Sequence, residues 1–550
     1  LLTKRRTTVL EGDATMKRHH QFRPTDDHSL EARSLLSQLA GMPEVRDTKA
    51  GAVEVHTQSR MAPIGQLQSV PGQPNLQIQK GFKLSLRSSG LSFPTAMTIG
   101  PGGKMWVSEA GGISGTTPQV VQIKRNGTSS TVLSANQLST GTLVGPINDV
   151  TFHDGWLWIT AQQVGANGWD VGAIMKFKSS NPVGTFTTVI TNLPSAGDHG
   201  TDQIVFDKKG TAYFSQGTAT NSGVVGTDNS WLATSSGLST FHDFAPVPIV
   251  LDGSTYTNAA SGTIPSETTS PYEPFGVTAP AGTVIPAATP ATPQQGIIAG
   301  GGTVYSFNPR AQDPTSTLHL LAWGFRNPYG LGFDPAHPNT LFVSNNGTDQ
   351  RGSRPVNNEF DDLFAINLRQ ANRQPEFFGW PDFFDNPQTN QPTPVTDPMF
   401  SVNGTTVQPV LDPSFSSTLT VQPDVTELGN HTAVGKFDIP TKSSFGSGLS
   451  GDLLMVRTGS LPPSTGATSV VGYDVISVNP RTGQVNEFLT HTTNAAAAVF
   501  DSSSFDKPLD VQFQGNQMFI VDFGVFNPGI SGGDPTDPTS GKIWVVTRGR

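Results

Sequence analysis

One pattern recurs six times in this chain of 550 residues, and it limits the fold more than any other feature. Each copy has a small or proline-containing lead-in, an apolar alternating strand, a turn with Gly or Asn, a second apolar strand and a polar loop. It reads FPTAMTIGPGGKMWVSEAGG at 93–112, GPINDVTFHDGWLWITAQQ at 145–163, HGTDQIVFDKKGTAYFSQG at 199–217 and NPYGLGFDPAHPNTLFVSNNG at 327–347. GLSGDLLMVRTGS at 448–460 is an eroded copy, and KPLDVQFQGNQMFIVDFG at 507–524 is the last. Most copies are followed by a further strand, such as VVQIKRNG, TVYSFNP or KIWVVTR. Strands that cannot bury both faces alone must stack into an array. Four-stranded units close most naturally as an all-β, six-bladed β-propeller, which removes exposed sheet edges. The segment GFKLSLRSSG at 81–90 precedes the first copy and is placed to complete the last blade. The competing arrangement is an irregular array of β-sandwiches.

Composition agrees with a turn-rich β protein: 59 Gly, 43 Pro and only 14% charged residues. A net charge of −9 with no basic stripe excludes a nucleic-acid partner. Cysteine is absent, which excludes disulfides, thiolate chemistry and Cys-ligated metal clusters, and fits an oxidising envelope or exterior. No apolar run is long enough for a membrane span, and no signal-peptide core is visible after Leu1. Either export information has been removed or the protein stays inside; the expected location is periplasmic or secreted. Residues 1–75 read as a largely disordered tail or linker with one short helix at Leu30–Leu39, and the propeller is expected over 76–550. Two long loop insertions interrupt the repeats, at 218–300 and 382–447. Loops of this length are functional walls or disordered segments.

The stretch from Ala322 to Pro381 presents a polar loop on a strand–turn–strand unit, with oxygen ligands at Asn345, Asn346, Asp349, Asn357, Asn358, Glu359, Asp361 and Asp362. A hard cation such as calcium takes about six to eight oxygens from such a loop, and a solvated acidic loop has the same composition. His199 stands beside Asp198, just before a strand, at the inner end of its unit. A neighbouring carboxylate can fix an imidazole tautomer for general-base work. Arg326 and Asn327 occupy the matching start of the next unit, so repetition puts them around the same tunnel as His199. A base and a guanidinium at one mouth suit oxidation of a hydroxyl group. The plainer alternative is that Arg326 binds carbonyls of the neighbouring blade.

GFRNPYGLGFDP, SNNGTDQRGSRPVNNEFDDLF and FFGWPDFF resemble the glucose/sorbosone dehydrogenase family, as do the DHG at Asp198–Gly200, the opening QKGFKLSLRSSGLSFPTAMTIGPGGKMWVSEAG, and HTAVG at His431–Gly435. The resemblance runs from about Leu76 to the C-terminal end, outside the two insertions. It implies a quinoprotein that uses pyrroloquinoline quinone (PQQ) and calcium to oxidise a sugar or alcohol and passes electrons to an external acceptor. On that likeness His199, with Asp198, is the base, and Arg326 and Asn327 hold the quinone oxygens. Arg457, Lys507 and His431 fall near further cofactor positions. Carbonyls of Gly347 and Thr348 would bind the cofactor calcium, and Glu359, the Phe378 carbonyl and Asp385 a structural calcium. The chain departs from the family pattern at 143–147, which lacks a cofactor-contacting glutamine, and at Leu509, which replaces an arginine. Two other functions stay open: a calcium-dependent hydrolase of the lactonase kind, and a non-catalytic propeller that binds carbohydrate or a partner.

Overall fold

The computed structural model describes residues 66–549 apart from 167–168, 235, 441–444, 446, 461–470, 493–504 and 527–535. Six sheets, antiparallel except where Glu376–Phe377 adds in parallel at the edge of the third, radiate from six innermost strands, as the repeats require. Those strands are Pro94–Gly100, Val144–His153, Thr201–Phe206, Asn327–Phe333, Val434–Asp438 and Pro508–Gln514, and we number their sheets blades 1 to 6. Both faces of each sheet pack against neighbours. Trp106 and Ile147 therefore share a cluster between blades 1 and 2, Trp158 and Phe214 between blades 2 and 3, and Phe519 and Met97 between blades 6 and 1.

The inner edge of each blade needs partners for its main-chain groups, because a buried unpaired N–H is costly. Side chains from the preceding blade supply them around the ring. Thr98 Oγ1 accepts from Phe152 N at 2.9 Å, Asp149 from Ile204 N at 3.2 Å and Gln203 from Leu331 N at 2.6 Å. Ser344 donates to Gly435 O at 2.7 Å, Asp438 accepts from Phe513 N at 2.8 Å and Asp510 from Met97 N at 2.8 Å. The last bond joins blade 6 back to blade 1.

Phe82–Leu91 is the outermost strand of blade 6, with Phe82 opposite Arg548, as the sequence placed it. A hairpin of Leu67–Val70 and Gln73–Gln79 also extends blade 5, pairing Leu76–Ile78 with Leu489–His491. Strands thus begin at Leu67, inside the span expected to be linker. Residues 1–65, with the expected helix at Leu30–Leu39, lie outside the described residues. Among the described residues no helix is long and apolar enough to cross a membrane.

The first insertion leaves blade 3 after Ala212–Gln216 and returns in register at Thr303–Phe307, as expected. The second is shorter than expected. Thr426–Gly429 is the outer strand of blade 4 and Val434–Asp438 the inner strand of blade 5, so the fifth unit starts well before Gly448. Polar side chains hide this strand: Lys436 is fully buried because it spans the tunnel to Asp149 at 2.8 Å. The two insertions share one apolar cluster that includes Ile249, Leu251, Tyr272, Trp380, Phe400 and Leu411. Arg354 locks this unit to blade 4, donating to Asp382 at 2.7 Å and to the carbonyls of Ser222 and Pro381.

Candidate functional site

The inner ends of blades 3 and 4 bring His199 and Arg326 together as the repeat register predicted. Asn345 Oδ1 fixes the start of blade 4 by accepting from the main-chain N–H groups of Arg326 and Asn327, at 3.2 and 3.1 Å. The Arg326 guanidinium then donates to Gly347 O at 2.7 Å and Asp349 at 3.0 Å. Asp361 holds the same loop by accepting from Gly347 N at 2.9 Å. Asn221 of the first insertion brackets it from the other side, donating to Asp349 O and accepting from Asp349 N. Asn345 to Asp349 of the loop are buried, whereas Asn357 and Asn358 in its second half are half-buried.

Asp349 is the hub of a buried ion network. It accepts from Arg326, from Arg351 Nε at 3.2 Å and from His431 Nδ1 at 3.2 Å. Arg351 also reaches Asp198 and Asp228, each at 2.5 Å. Three carboxylates from three segments thus converge on one guanidinium. Burial opposes ionisation of Asp349, but Arg326, His431 and Arg351 outweigh it and hold the carboxyl below the usual range. Burial pushes Asp228 up to about 6 against the pull of Arg351. His199 is 2% exposed, and burial, then Arg326 and Arg351, lower its pKa well below the ordinary value. Its Nδ1 lies 3.2 Å from the Thr218 carbonyl, so Nδ1 carries the proton and Nε2 is the basic nitrogen of a neutral ring. The sequence suggested Asp198 as the group that orients His199. The Asp198 carboxylate instead takes Arg351, and a main-chain carbonyl sets the tautomer.

A second acidic group lies beside blade 4. Asp362 is pushed well above the usual carboxylate range by burial, then by Asp424, Asp385, Glu359 and Glu427. Burial, with Asp424 next, raises Asp385 to about 8, and burial raises Asp424 to about 7. Asp362 Oδ1, Asp385 Oδ1 and both carboxylate oxygens of Asp424 are buried without a hydrogen bond from another residue. Glu359 is raised likewise by burial and lies against Gly347, where an added Cβ would come within 2.4 Å of its Oε2. Among the described residues no three acidic or histidine groups already stand around one metal-binding point.

The remaining expected residues are less closely gathered. Phe378 stacks on Phe325 with ring centres 4.6 Å apart, and its N–H donates to Trp323 O. Thr348 is fully buried beside Gly347. Arg457 gives Nε and Nη2 to Asp474 of its own blade and Nη1 to Leu428 O on the outer strand of blade 4, so its guanidinium ties blade 5 to blade 4. Lys507 lies over the Tyr473 ring at 5.8 Å. Sequence reasoning missed Arg351, Asp228, Asp424 and Glu427. The run RGSRP at 351–355, two arginines behind an acidic turn, carried a signal for Arg351; Asp228 sits in an insertion with no pattern to mark it.

No protein-family model matches this chain, and no curated protein does. Solved structures do. The holo form of the pyranose dehydrogenase PQQ domain from Coprinopsis cinerea is 15% identical, covers 87% of this chain and 99% of its own, and has a TM-score of 0.50. The calcium structure of the Trichoderma reesei carbohydrate-active enzyme of family AA12 is also 15% identical, covers 88% and 98%, and has a TM-score of 0.51. The likeness is one of fold.

Proposed function

We propose that the chain is a PQQ- and calcium-dependent dehydrogenase that oxidises a sugar or alcohol hydroxyl, with His199 as general base. The observation that carries the reading is the state of His199: a buried, neutral imidazole with Nδ1–H on a carbonyl and two guanidinium-bearing side chains close by. A quinone's oxygen end fits here through one unused donor, Arg326 Nε, which is buried without a hydrogen-bond partner. Arg326 and Asn327 would hold that end, with His431 and Lys507 further round the mouth. Asn346 Oδ1, also buried and unpartnered, and the carbonyls of Gly347 and Thr348 would face the cofactor calcium. Asp362, Asp385 and Asp424, with Glu359 and the Phe378 carbonyl, would hold a second calcium. Bound PQQ supplies a two-electron hydride acceptor, which calcium polarises.

The protein's own part is positional and acid–base. Nε2 of His199 takes the proton of the substrate hydroxyl as its carbon gives up hydride. The Thr218 carbonyl keeps the ring from turning over. Arg326 and Arg351 disfavour imidazolium, so the ring is ready as a base at neutral pH. The first insertion covers one side of the site through Asn221 and Asp228. An external acceptor removes the electrons, and a location in the periplasm or outside the cell goes with this reading.

One observation favours a second reading, a calcium-dependent hydrolase of the lactonase kind. PQQ is a tricarboxylate, yet Arg326, Arg351 and Arg457 are each already paired with aspartates. An absorbance titration with PQQ and calcium, followed by sugar and an artificial electron acceptor, separates the two. His199→Gln should keep the PQQ spectrum and lose about a hundred- to ten-thousand-fold in rate. Oxidation by His199→Gln at the parent rate sinks the assignment.

A further inference from the structure

In every blade the pairing of the innermost strand with the second strand shifts register once, and the second-strand residue just beyond the shift is polar. These residues are Glu109, Gln162, Gln216, Asn345, Arg457 and Asp522. A bulge re-aims the side chains beside it, here toward the crossovers between blades. Glu109 accepts from Ser92 N at 2.9 Å, Asn345 from Arg326 N and Asn327 N, and Asp522 from Asp506 N and Lys507 N. Gln216 donates to Pro194 O at 2.7 Å. Each of these four latches the chain that enters its own blade, and Arg457 bonds the strand before that entry. Gln162 turns the other way. Its Nε2 donates to Ser195 Oγ at 2.7 Å and to Ser195 O at 3.2 Å, on the entry to the following blade. The segment that delivers His199 is therefore latched twice, by Gln162 of blade 2 and Gln216 of blade 3.

The extra latch ends against the base. A Cβ added at Gly200 would stand 2.9 Å from Ser195 Oγ, so this hydroxyl rests on the residue that follows His199. His199 N and Nδ1 share one acceptor, Thr218 O, at 3.1 and 3.2 Å. A single oxygen sets the tautomer but is a pivot, and glycines on both sides of Asp198–His199 leave the turn pliant. A second point of support is needed to fix where the ring stands. We propose that Gln162 is a positioning residue for the base: through Ser195 and Gly200 it fixes how far His199 Nε2 reaches into the mouth. The inference rests on the dehydrogenase reading. Gln162 and Ser195 are 4% and 6% exposed, so they act through His199 and not on the substrate.

The test joins turnover with PQQ, calcium and an artificial acceptor to NMR of the full chain carrying 15N-histidine, recorded without either ligand. His199→Gln identifies the His199 signal. Gln162→Ala should lower kcat about ten- to a hundredfold with KM changed less than about twofold, because a misplaced base costs only the reacting step. Exchange of the His199 Nδ1 proton should quicken about five- to tenfold, the loss of roughly one hydrogen bond. Ser195→Ala, a milder change should Gln162→Ala fold poorly, should do the same. The double variant should be no worse than the poorer single, since the two residues act as one unit. Glu109→Ala breaks the corresponding latch in blade 1 and should lower the melting temperature while kcat and His199 exchange stay as in the parent. Parent-like kcat and exchange in both Gln162→Ala and Ser195→Ala overturn the proposal, as do fully additive losses in the double variant. Equal losses in Glu109→Ala also overturn it, because they show a general effect of stability. If the parent shows no turnover with PQQ and calcium, the dehydrogenase reading falls alone, and proton exchange still decides whether Gln162 holds His199.

Discussion

Gly217 offers the most local test of the site. It follows the second strand of blade 3, and its N–H donates to Gly200 O at 2.9 Å. Its backbone is not in the left-handed region, so Ala is admissible there conformationally. Space is the obstacle. The new methyl would lie 2.3 Å from His199 Cβ, 3.2 Å from His199 Cγ and 2.8 Å from Asn327 Oδ1, against an ordinary contact that begins at 3.4 Å. A Cβ cannot swing aside, so His199 must retreat by about 1 Å, stretching its bond to the Thr218 carbonyl. Misplacement of that size costs a catalytic group roughly a hundredfold in rate. Overpacking costs about 1–3 kcal/mol of stability, which in a domain this large lowers the melting temperature by only about one to three degrees. Gly217→Ala should therefore separate rate from stability. Gly448→Ala, with nothing within 4 Å of the new methyl, should change neither. The assay is turnover with PQQ, calcium and an artificial acceptor beside a melting curve. Full activity in Gly217→Ala would refute the placement of His199 as the base.

Calcium should raise the melting temperature and chelation lower it, through a stabilisation of about 2.7 kcal/mol at a hundredfold excess over Kd, and Asp424→Asn should abolish most of that response. Asp385 and Asp424 have raised folded values, about 8 and about 7, so the folded chain holds these protons more tightly than the unfolded one. Without metal, stability should fall as pH rises from about 4 through 8, and calcium should bind more tightly at pH 8.5 than at pH 6; an opposite trend in melting curves across that range counts against the site. Because His199 is lowered well below its ordinary value, the acid limb of kcat/KM should lie below pH 6.5, and a half-maximal rate above 6.5 would show a different base. Asp510→Ala strands the Met97 N–H at the join of blades 6 and 1 and should cost about 1–3 kcal/mol in urea unfolding without altering sugar affinity.

The blades were legible because strands packed on both faces must be apolar along most of their length. FPTAMTIG and the other inner strands announce themselves in this way. Val434–Asp438 did not, since Lys436 and Asp438 are polar and their burial is explained only by partners on blades 2 and 6. His199 and Arg326 were found by register, a property repeats carry in one dimension. Asp228 and Arg351 are 123 residues apart and meet only because the first insertion, which follows no period, folds onto the blade 4 loop, so nothing in the sequence pairs them. Asp424 was hidden for the same reason: its meaning lies in Asp362 and Asp385 arriving beside it.

The outer strand of blade 6 also sets a timetable for biosynthesis. Phe82 pairs with Arg548, so a strand synthesised before any of the six inner strands waits for one synthesised after all of them. At about 5–20 residues per second, the wait is roughly half a minute to a minute and a half. Throughout that time the edges of the first and last blades are unsealed, and an amphipathic strand with Leu84 and Leu86 stands unpaired. A nascent chain stalled within the last blade should thus be the form most prone to capture by chaperones, while release of the final strand converts an open fan into a ring in one step.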